Sequence, residues 1–138
     1  MDNNCFYCTK GELLENRMIK ICDLSVSTVY LFKEQTHKGR CNVAFKNHVG
    51  NLFDLDAEDL HAFMDDVAKV AKAVNSAFSP DKINYGSYAD NMQHLHMHVV
   101  PKYKDGTSWG STFEMNPEKV YFTNEEYEEI ISALKKQL

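Results

Sequence analysis

The sequence has no long apolar run, and this absence excludes whole classes of protein. No stretch approaches the ~20 uninterrupted apolar residues that a membrane-spanning helix needs. The N-terminal segment MDNNCFYC has no basic start followed by an apolar run, so we expect no signal peptide. These two absences together predict a cytoplasmic protein with no membrane partner.

Positive charge is also scarce. The 15 Lys and Arg residues stand against 20 Asp and Glu residues, which gives a formal net charge of −5. Non-specific nucleic-acid binders are usually basic, so we expect no nucleic-acid partner. A small anionic ligand remains compatible with this composition, because one local site can be positive on an acidic protein. With 138 residues, of which 43% are hydrophobic, the chain is expected to form a single domain over 1–138.

Cysteine is too rare for a disulfide scaffold, which would carry more cysteines in a shorter chain. Cys5 and Cys8 form a C-x-x-C pair, which indicates either half of a zinc site or a redox pair. A redox pair follows a strand and opens a helix, whereas this pair lies almost at the N-terminus with no apolar strand before it. Zinc is therefore the favoured interpretation, provided that two more ligands are found.

Several segments are rich in β-branched and aromatic residues and predict strands. Residues 18–33, interrupted at 23–25, predict the two strands of a hairpin. Residues 41–45 predict a further strand after a polar loop. Residues 83–88 and 94–100 predict the remaining strands.

Two segments predict helices. Asp56 is the expected N-cap of a long helix, whose apolar residues recur at i, i+3, i+4 and i+7 as far as Phe78, and Pro80 follows its end. Thr123 and Glu126 form a capping box at the start of a C-terminal helix. Strand hairpins around one long helix predict an α+β fold with a mostly antiparallel sheet.

Three histidines alternate with apolar residues in the last predicted strand. Because side chains alternate between the two faces of a strand, His94, His96 and His98 should point to one side. The residues between them should face the core under the long helix: Leu95, Met97 and Val99. Two functional interpretations follow. Either all three histidines bind one catalytic zinc ion, or they divide the roles of metal ligand, nucleophile and phosphate donor.

The C-x-x-C pair favours the divided roles, since two thiolates need two more ligands to complete a tetrahedral zinc site. His48 follows a predicted strand, and His94 begins the histidine strand. Such a site would tie the N-terminal loop to two strands of the sheet and leave His96 and His98 for chemistry. The predicted zinc ligands are Cys5, Cys8, His48 and His94.

Taken together, these segments resemble the histidine triad (HIT) family, whose motif is His-φ-His-φ-His-φ-φ, with φ apolar. Residues 94–100 match every position of this motif. Residues 5–8 resemble the family's N-terminal C-x-F-C segment, and residues 38–48 resemble its K-G-H-x-L-V-I-P-K-x-H strand. Residues 98–103 resemble the H-φ-φ-P-R-Y segment that follows the triad in many bacterial members.

The resemblance implies a HIT-like fold with a sheet of about five strands, a symmetric homodimer and a structural zinc ion. It also implies an enzyme that cleaves a nucleotide at its α-phosphorus through a covalent nucleotidyl-histidine. Here His96 would be the nucleophile, and His98 would donate to the phosphoryl oxygens. The leading expected activity is hydrolysis of a dinucleoside polyphosphate. The alternatives are a nucleoside phosphoramidate hydrolase and a catalytically weak, zinc-stabilised nucleotide-binding protein.

The residues expected near the phosphate depart from the family pattern. Members usually carry Gly-Gln-Ser/Thr just before the triad, where this chain has Asp90 and Asn91, with Gln93 nearer the motif. Asn91 can donate to a phosphate, whereas Asp90 would repel one. Asn84 resembles a family asparagine near the phosphate. We therefore expect Asn84, Asn91 and Gln93 to contact the substrate.

The residues expected near the ribose also differ. The family usually has an acidic residue for the ribose hydroxyls at the end of the second hairpin strand, and Phe32 and Lys33 fall near that position here. Glu34 could replace the acid only with a shift of the chain. Phe32 and Lys33 are therefore the expected contacts at this end of the site. Trp109, in a loop over residues 104–117, is expected to be a buried anchor of that loop, the alternative being a loop that closes over the site.

Overall fold

The computed structural model describes residues 3–138, and within them five strands form one antiparallel sheet. The strands are β1 (Met18–Asp23), β2 (Ser27–Phe32), β3 (Cys41–Phe45), β4 (Lys82–Gly86) and β5 (His96–Lys102), in the order β1-β2-β3-β5-β4. The helices are α1 (Phe6–Thr9), α2 (Glu12–Glu15), α3 (Ala57–Phe78) and α4 (Asn124–Lys135). The predicted α+β fold is confirmed. Of the domain expected over 1–138, Met1 and Asp2 lie outside the described residues.

The second hairpin strand is buried on both faces of the sheet. Val29 and Leu31 belong to the hydrophobic cluster on the α3 side, and neither has any exposed surface. Tyr30 points the other way and packs with Tyr7, their ring centroids 5.8 Å apart. The alternation of β2 therefore divides the molecule into a helix-covered face and an opposite face, to which the histidines belong.

The long helix α3 covers the first face. Asp56 caps it by accepting a hydrogen bond from Asp59 N at 2.8 Å, and Ser79 ends it in the left-handed conformation, with Pro80 next. The apolar stripe consists of buried residues that pack against β2, β3 and β5: Phe63, Val67, Val70 and Val74. Each fully buried side chain of this kind contributes about 1.5–3 kcal/mol. A charged residue such as Asp at Val70 should therefore disrupt the packing of helix on sheet.

The last strand, β5, begins two residues later than predicted. His94 N bonds Met92 O and Leu95 N bonds Val49 O, so the ladder with the neighbouring strands starts only at His96. It also runs one residue beyond Pro101. Because the pairing of β5 with β3 stops at Val99, opposite Cys41, Pro101 lies beyond that ladder and is paired only with β4.

The segment after β5 crosses the histidine face and leads to α4. Phe113 is buried against this face, and Tyr127 of α4 donates a hydrogen bond to Lys33 O at 2.6 Å. The predicted capping box of Thr123 and Glu126 is present at the start of α4. Within residues 3–138, none of the helices is both long and apolar enough to cross a lipid bilayer.

Candidate functional site

Four side chains from three separate segments meet beside the start of β5. Cys5 Sγ lies 3.3 Å from His94 Nδ1, Cys8 Sγ lies 3.3 Å from His48 Nδ1, and the two Nδ1 atoms lie 3.2 Å apart. The four ligand atoms are all within 4.8 Å of one another. The structure thus brings together all four residues that the sequence predicts as zinc ligands.

Local structure orients these ligands. Cys5 is the N-cap of α1, and Cys8 N bonds Cys5 O at 3.1 Å, so a single helical turn presents both thiols together. His94 Nε2 lies 2.7 Å from Phe45 O. Because a carbonyl only accepts, Nε2 must carry the hydrogen, and the lone pair of Nδ1 points at the thiols.

The arrangement fits a tetrahedral metal ion. Two thiols and two imidazoles are a usual donor set for structural zinc, whose bonds of about 2.0–2.3 Å place its ligand atoms about 3.3–3.8 Å apart. Four of the observed separations lie between 3.2 and 3.6 Å. The cluster could therefore hold a metal ion. Burial raises the pKa of the Cys5 thiol, so binding of a cation there would release a proton.

A single metal ion on all three histidines does not fit this geometry. His94 uses Nδ1 toward the thiols and Nε2 for Phe45 O, so neither nitrogen is left to share an ion with the other two. His96 Nδ1 lies 2.7 Å from His94 O, and His96 Nε2 lies 3.2 Å from His98 Nε2. The geometry therefore favours divided roles among the three histidines.

His96 presents an unprotonated nitrogen to the site. Since its Nδ1 faces a carbonyl oxygen, Nδ1 carries the hydrogen and Nε2 keeps its lone pair. Burial lowers the pKa of His96, while the hydrogen bond to the carbonyl of His94 acts in the opposite direction. A neutral imidazole with an unprotonated Nε2 can attack an electrophilic phosphorus atom.

His98 has the opposite tautomer. Arg40 Nη2 lies 3.2 Å from His98 Nδ1, and a guanidinium group has no acceptor. His98 Nδ1 must therefore accept, and Nε2 carries the hydrogen. Burial, with smaller contributions from His96 and Arg40, lowers the pKa of His98 to about 3. At neutral pH His98 is thus an uncharged donor beside the nucleophilic nitrogen of His96.

Arg40 is the main site residue that the sequence interpretation missed. It is fully buried, and its guanidinium lies 4.2 Å from the ring centroid of Phe32 and 5.2 Å from that of Phe113. Burial lowers its pKa to about 10, so it remains charged at neutral pH. The available signal was its position two residues before Asn42, since Asn42 lies opposite His98. Alternation then places Arg40 on the histidine face.

A cavity of about 640 Å³ lies over His96 and His98, within the range of about 300–1,000 Å³ that is usual for small-molecule sites. Three of the predicted substrate contacts line it: Phe32, Lys33 and Asn91. The ring centroid of Phe32 is 5.7 Å from that of His98. Tyr7 and Tyr88 also line the cavity, and no pattern in the sequence distinguished them from other tyrosines.

Asn84 and Gln93, also predicted as substrate contacts, do not line this cavity. Asn84 lies opposite Val100, one pleat further from His96 than His98 is. Gln93 is exposed and packs beside Gly50 on the metal-cluster side. The shift of Gln93 follows from the late start of β5, which leaves residues 93–95 outside the regular strand.

Glu34 lines the cavity but is committed to structural hydrogen bonds. Its carboxylate accepts from Thr36 N and Thr36 Oγ1, and also from the backbone N–H groups of Lys119 and Val120. Burial acts to raise its pKa, but these hydrogen bonds outweigh it and hold the pKa below the usual value. Glu34 therefore ties the C-terminal segment to the end of β2.

The expectation that Trp109 is a buried anchor is wrong. Trp109 is 42% exposed, whereas Phe113, four residues later, is 9% exposed. Phe113 stacks against the guanidinium of Arg40 and lies 6.2 Å from His98, so it fixes this loop to the sheet. Trp109 faces outward because the loop turns at Ser108 and Gly110, both with positive φ.

Comparison with known proteins agrees with this geometry. The chain is 28% identical over 130 residues to the adenosine 5′-monophosphoramidase of Schizosaccharomyces pombe, covering 89% of this chain and 95% of that protein. It is 25% identical to a Bacillus subtilis protein called protein hit, covering 98% of this chain and 94% of the relative. A histidine triad protein from Sinorhizobium meliloti has the same fold, with a TM-score of 0.85 at 19% identity, over 93% of this chain and 95% of that one.

The family model of the HIT domain matches residues 15–105, about two thirds of the chain. The matched range contains His48, the whole triad and Arg40. The two cysteines of the metal cluster lie before it. The chain therefore belongs to the HIT domain family.

Proposed function

We propose that this protein hydrolyses dinucleoside polyphosphates at an α-phosphate through a covalent nucleotidyl-His96 intermediate. The chain is an enzyme of the HIT family that hydrolyses a nucleotide bond. The observation that carries the more specific proposal is the tautomer pair at the base of the cavity. His96 Nε2 carries no hydrogen, and its lone pair accepts from the Nε2–H of His98 at 3.2 Å until a substrate oxygen takes that hydrogen bond.

The reaction takes place in two displacements at phosphorus. In the first, His96 Nε2 forms a bond to the α-phosphorus, and the bond from phosphorus to the bridging oxygen breaks, with the electron pair leaving on that oxygen. The Nε2–H of His98 donates to the phosphoryl or bridging oxygen as negative charge develops there. In the second, water attacks the same phosphorus, the P–N bond breaks, and the proton of the water passes to solvent.

The cavity supplies the contacts for the remainder of a nucleotide. Phe32, Tyr7 and Tyr88 provide aromatic surface for a base, and Asn91 provides an amide donor for phosphate oxygens. Lys33, next to Phe32 in the cavity wall, provides positive charge for additional phosphates. Asn84 and Gln93 are not part of this proposal, because they lie outside the cavity.

Nucleoside phosphoramidate hydrolysis is the second candidate. The observation that favours it is the relative from Schizosaccharomyces pombe, which is an adenosine 5′-monophosphoramidase. In both reactions His96 forms the bond to the α-phosphorus, but oxygen leaves in one and nitrogen in the other, and the nitrogen must also gain a proton. The two activities are therefore distinguished by rates on substrates that share a nucleotidyl group.

For the metal cluster we propose structural zinc, held by Cys5, Cys8, His48 and His94. The donor set and the separations of 3.2–3.6 Å support this assignment. The ion would supply a cross-link between α1 and the strands of the sheet. The side chains that perform the chemistry, His96 and His98, lie outside its ligand set.

We further propose that residues 1–138 act as one domain and that two copies form a homodimer in the cytoplasm. Strand β4 lies at an edge of the sheet and exposes Tyr85 by 54%, which offers a surface for a second copy. None of the four cysteines forms a disulfide, as is usual in a reducing compartment. Light scattering on the purified protein tests the dimer, and a monomer at micromolar concentration would contradict it.

The nucleophile is tested by His96→Asn, with His61→Asn as the matched control on the exposed side of α3. We expect His96→Asn to keep the metal content and fold but to lose at least ~10³-fold in turnover of a dinucleoside polyphosphate, because asparagine cannot form the P–N bond. His98→Asn should lose less, about 10²–10³-fold, since it removes one donor to the transition state. His61→Asn should retain full activity.

Intact-mass spectrometry after rapid quenching without acid provides the second measurement. The parent protein should gain the mass of one nucleotidyl group, and His96→Asn should not. Turnover of His96→Asn near the parent rate would exclude covalent catalysis at this residue. Nucleotide binding by the parent with neither adduct nor turnover would instead support a catalytically weak nucleotide-binding protein.

A further inference from the structure

Arg40 is a buried cation that the proposed reaction has not yet used. Its Nη1 donates to Met115 O at 2.9 Å, and its Nη2 donates to His98 Nδ1 at 3.2 Å and to Met115 Sδ at 3.3 Å. Its Nε has no hydrogen-bond partner among the described residues. Phe32 and Phe113 cover the guanidinium group. This side chain is held in place and directed at His98.

Among residues 3–138, the guanidinium of Arg40 makes no ion pair, although the charge of Glu34 acts on it from a greater distance. The ion pairs within that range join Lys20 to Asp23 and Lys119 to Glu114. A buried unpaired charge is unfavourable, so this site is predisposed toward an anion. His98 lies between the guanidinium and the cavity and transmits its polarisation to the Nε2–H donor.

Hydrogen bonds form a chain from Arg40 to the carbonyl oxygen of His94. The position of each proton in this chain follows from the partners of each group. Arg40 donates to His98 Nδ1, His98 Nε2–H donates to His96 Nε2, and His96 Nδ1–H donates to His94 O. Arg40 is at the origin of this chain, because it is the one member that can only donate. A second proton on His98 Nδ1 would place two donors against each other beside a positive charge.

We propose that Arg40 is a positioning residue that holds His98 as a neutral Nε2–H donor and so favours leaving groups that depart without taking a proton. This inference rests on the function proposed above and specifies its leaving-group class. Phosphate and polyphosphate oxyanions belong to that class, whereas ammonia and amines do not. The preferred substrates are thus phosphoanhydrides rather than phosphoramidates.

The proton balance of the first displacement explains the preference. When an anhydride reacts, the P–O bond breaks and the oxyanion leaves with the electron pair, stabilised by a hydrogen bond alone. When a phosphoramidate reacts, the nitrogen must gain a proton as the P–N bond to the leaving group breaks. His98 has only the Nε2 proton, and its loss would leave an imidazolate. The phosphoramidate nitrogen must therefore obtain its proton elsewhere, which slows the reaction.

The first test uses the unmodified protein. Diadenosine tetraphosphate and adenosine 5′-phosphoramidate share the adenylyl group, and kcat/KM reports formation of the adenylyl adduct for both. We expect the anhydride to react at least ~100-fold faster at pH 7.5. In a series of aryl esters of AMP, kcat/KM should fall steeply as the pKa of the leaving phenol rises. Comparable rates on the two substrates, or a flat dependence in the ester series, would overturn the proposal.

Two variants of Arg40 and one matched control separate positioning from a general structural role. Arg40→Met removes the hydrogen-bond donor and leaves an apolar side chain of similar length. It should reduce the ratio of kcat/KM on the anhydride to kcat/KM on the phosphoramidate at least ~10-fold. Arg40→Lys keeps a side chain that can only donate, and should hold the ratio within about threefold of the parent. Lys69→Met removes an exposed cation of α3, on the opposite face of the sheet, and should change the ratio less than twofold.

Nitrogen-15 NMR of the histidine rings gives a readout that does not depend on turnover. The parent should show His98 as the Nε2–H tautomer from pH 5 to pH 8. In Arg40→Met, His98 should no longer be held in this single tautomer over that pH range. A proton on Nδ1 of His98 in the parent would overturn the proposal, even if Arg40→Met fails to fold. Formation of the His96 adduct at equal rates from both substrates would refute this inference alone. Absence of an adduct with either substrate would refute the proposed function as well.

Discussion

Replacing Glu34 by Gln distinguishes between two roles for this carboxylate in the wall of the cavity. The HIT family usually has an acid for the ribose hydroxyls near this position, so Glu34 could be a substrate ligand. The structure instead uses both of its oxygens to hold the protein together. Oε1 accepts from Thr36 N at 2.9 Å, and Oε2 accepts from Thr36 Oγ1, Lys119 N and Val120 N at 2.7–2.9 Å.

The expected loss of stability follows from these four hydrogen bonds. A glutamine has one acceptor oxygen, and in its best orientation this oxygen keeps the three bonds of Oε2. Its NH₂ group then faces the N–H of Thr36, so one hydrogen bond to a charged group is lost and a donor is left unpaired. Each of these changes costs about 1–3 kcal/mol. We expect Glu34→Gln to lower the free energy of unfolding by ~2–6 kcal/mol at pH 7.

Urea unfolding followed by circular dichroism measures this change, and Glu114→Gln is the matched control. Glu114 lies in the same segment, but its ion pair with Lys119 at 3.5 Å is exposed and should contribute less than ~1 kcal/mol. Because the folded pKa of Glu34 lies below its ordinary value, its contribution is complete above about pH 4.5. It is lost as the pH falls through the folded pKa. The difference between parent and Glu34→Gln should therefore shrink in acid.

Kinetics on ribose and 2′-deoxyribose substrates completes the test. Because Phe32 and Lys33 stand at the positions where the HIT family usually has the ribose acid, we expect the parent to prefer ribose by less than about tenfold. Glu34→Gln should leave this ratio within about threefold and raise KM, since the tethered segment at 115–118 lines the cavity. A variant that unfolds like the parent but loses more than tenfold in ribose preference would show that Glu34 contacts the substrate.

Two further predictions concern the metal cluster and the acid stability of the protein. The purified protein should contain about one zinc ion per chain, and Cys5→Ser should lower both zinc content and Tm, whereas Cys22→Ser, outside the cluster, should not change the zinc content. Metal-free protein of unchanged Tm would exclude the site. Since the pKa of His98 is about 3 when folded and ordinarily 6.5, the unfolded chain binds this proton first, and stability should fall as pH drops from 6.5 toward 3. His98→Asn should flatten this decline by up to about 1.4 kcal/mol per pH unit, and parallel stability curves would contradict the assignment of His98 as neutral.

Local signals were sufficient to predict most of the fold. The helix after Asp56 and the strand at Cys41–Phe45 were predicted at their observed limits, because each has one clear signal. The helix has a capping residue and a period near 3.6, and the strand has a short apolar run after a glycine. The grouping of Cys5, Cys8, His48 and His94 was also predictable, since two thiols and two imidazoles in this pattern have few roles other than holding a metal ion.

Contacts made by irregular backbone could not be predicted in the same way. The start of β5 depends on Leu95 N bonding Val49 O, a partner outside any strand. This bond removes residues 93–95 from the ladder and takes Gln93 away from the cavity. The anchor of the loop after β5 was likewise decided by the positive φ angles at Ser108 and Gly110, which expose Trp109 and direct Phe113 inward.

The role of Arg40 shows why a site can be recognised from sequence while its selectivity remains hidden. The triad motif places three imidazoles on one face, but it does not say which nitrogen of each ring carries a proton. That choice depends on what lies opposite each ring: a thiol pair for His94, a backbone carbonyl for His96 and a guanidinium for His98. An acceptor at position 40 would reverse the tautomer of His98 and leave no Nε2–H beside the nucleophile. A change of one buried residue, outside the motif and without contact to the α-phosphate, is therefore enough to change which leaving groups this site can expel.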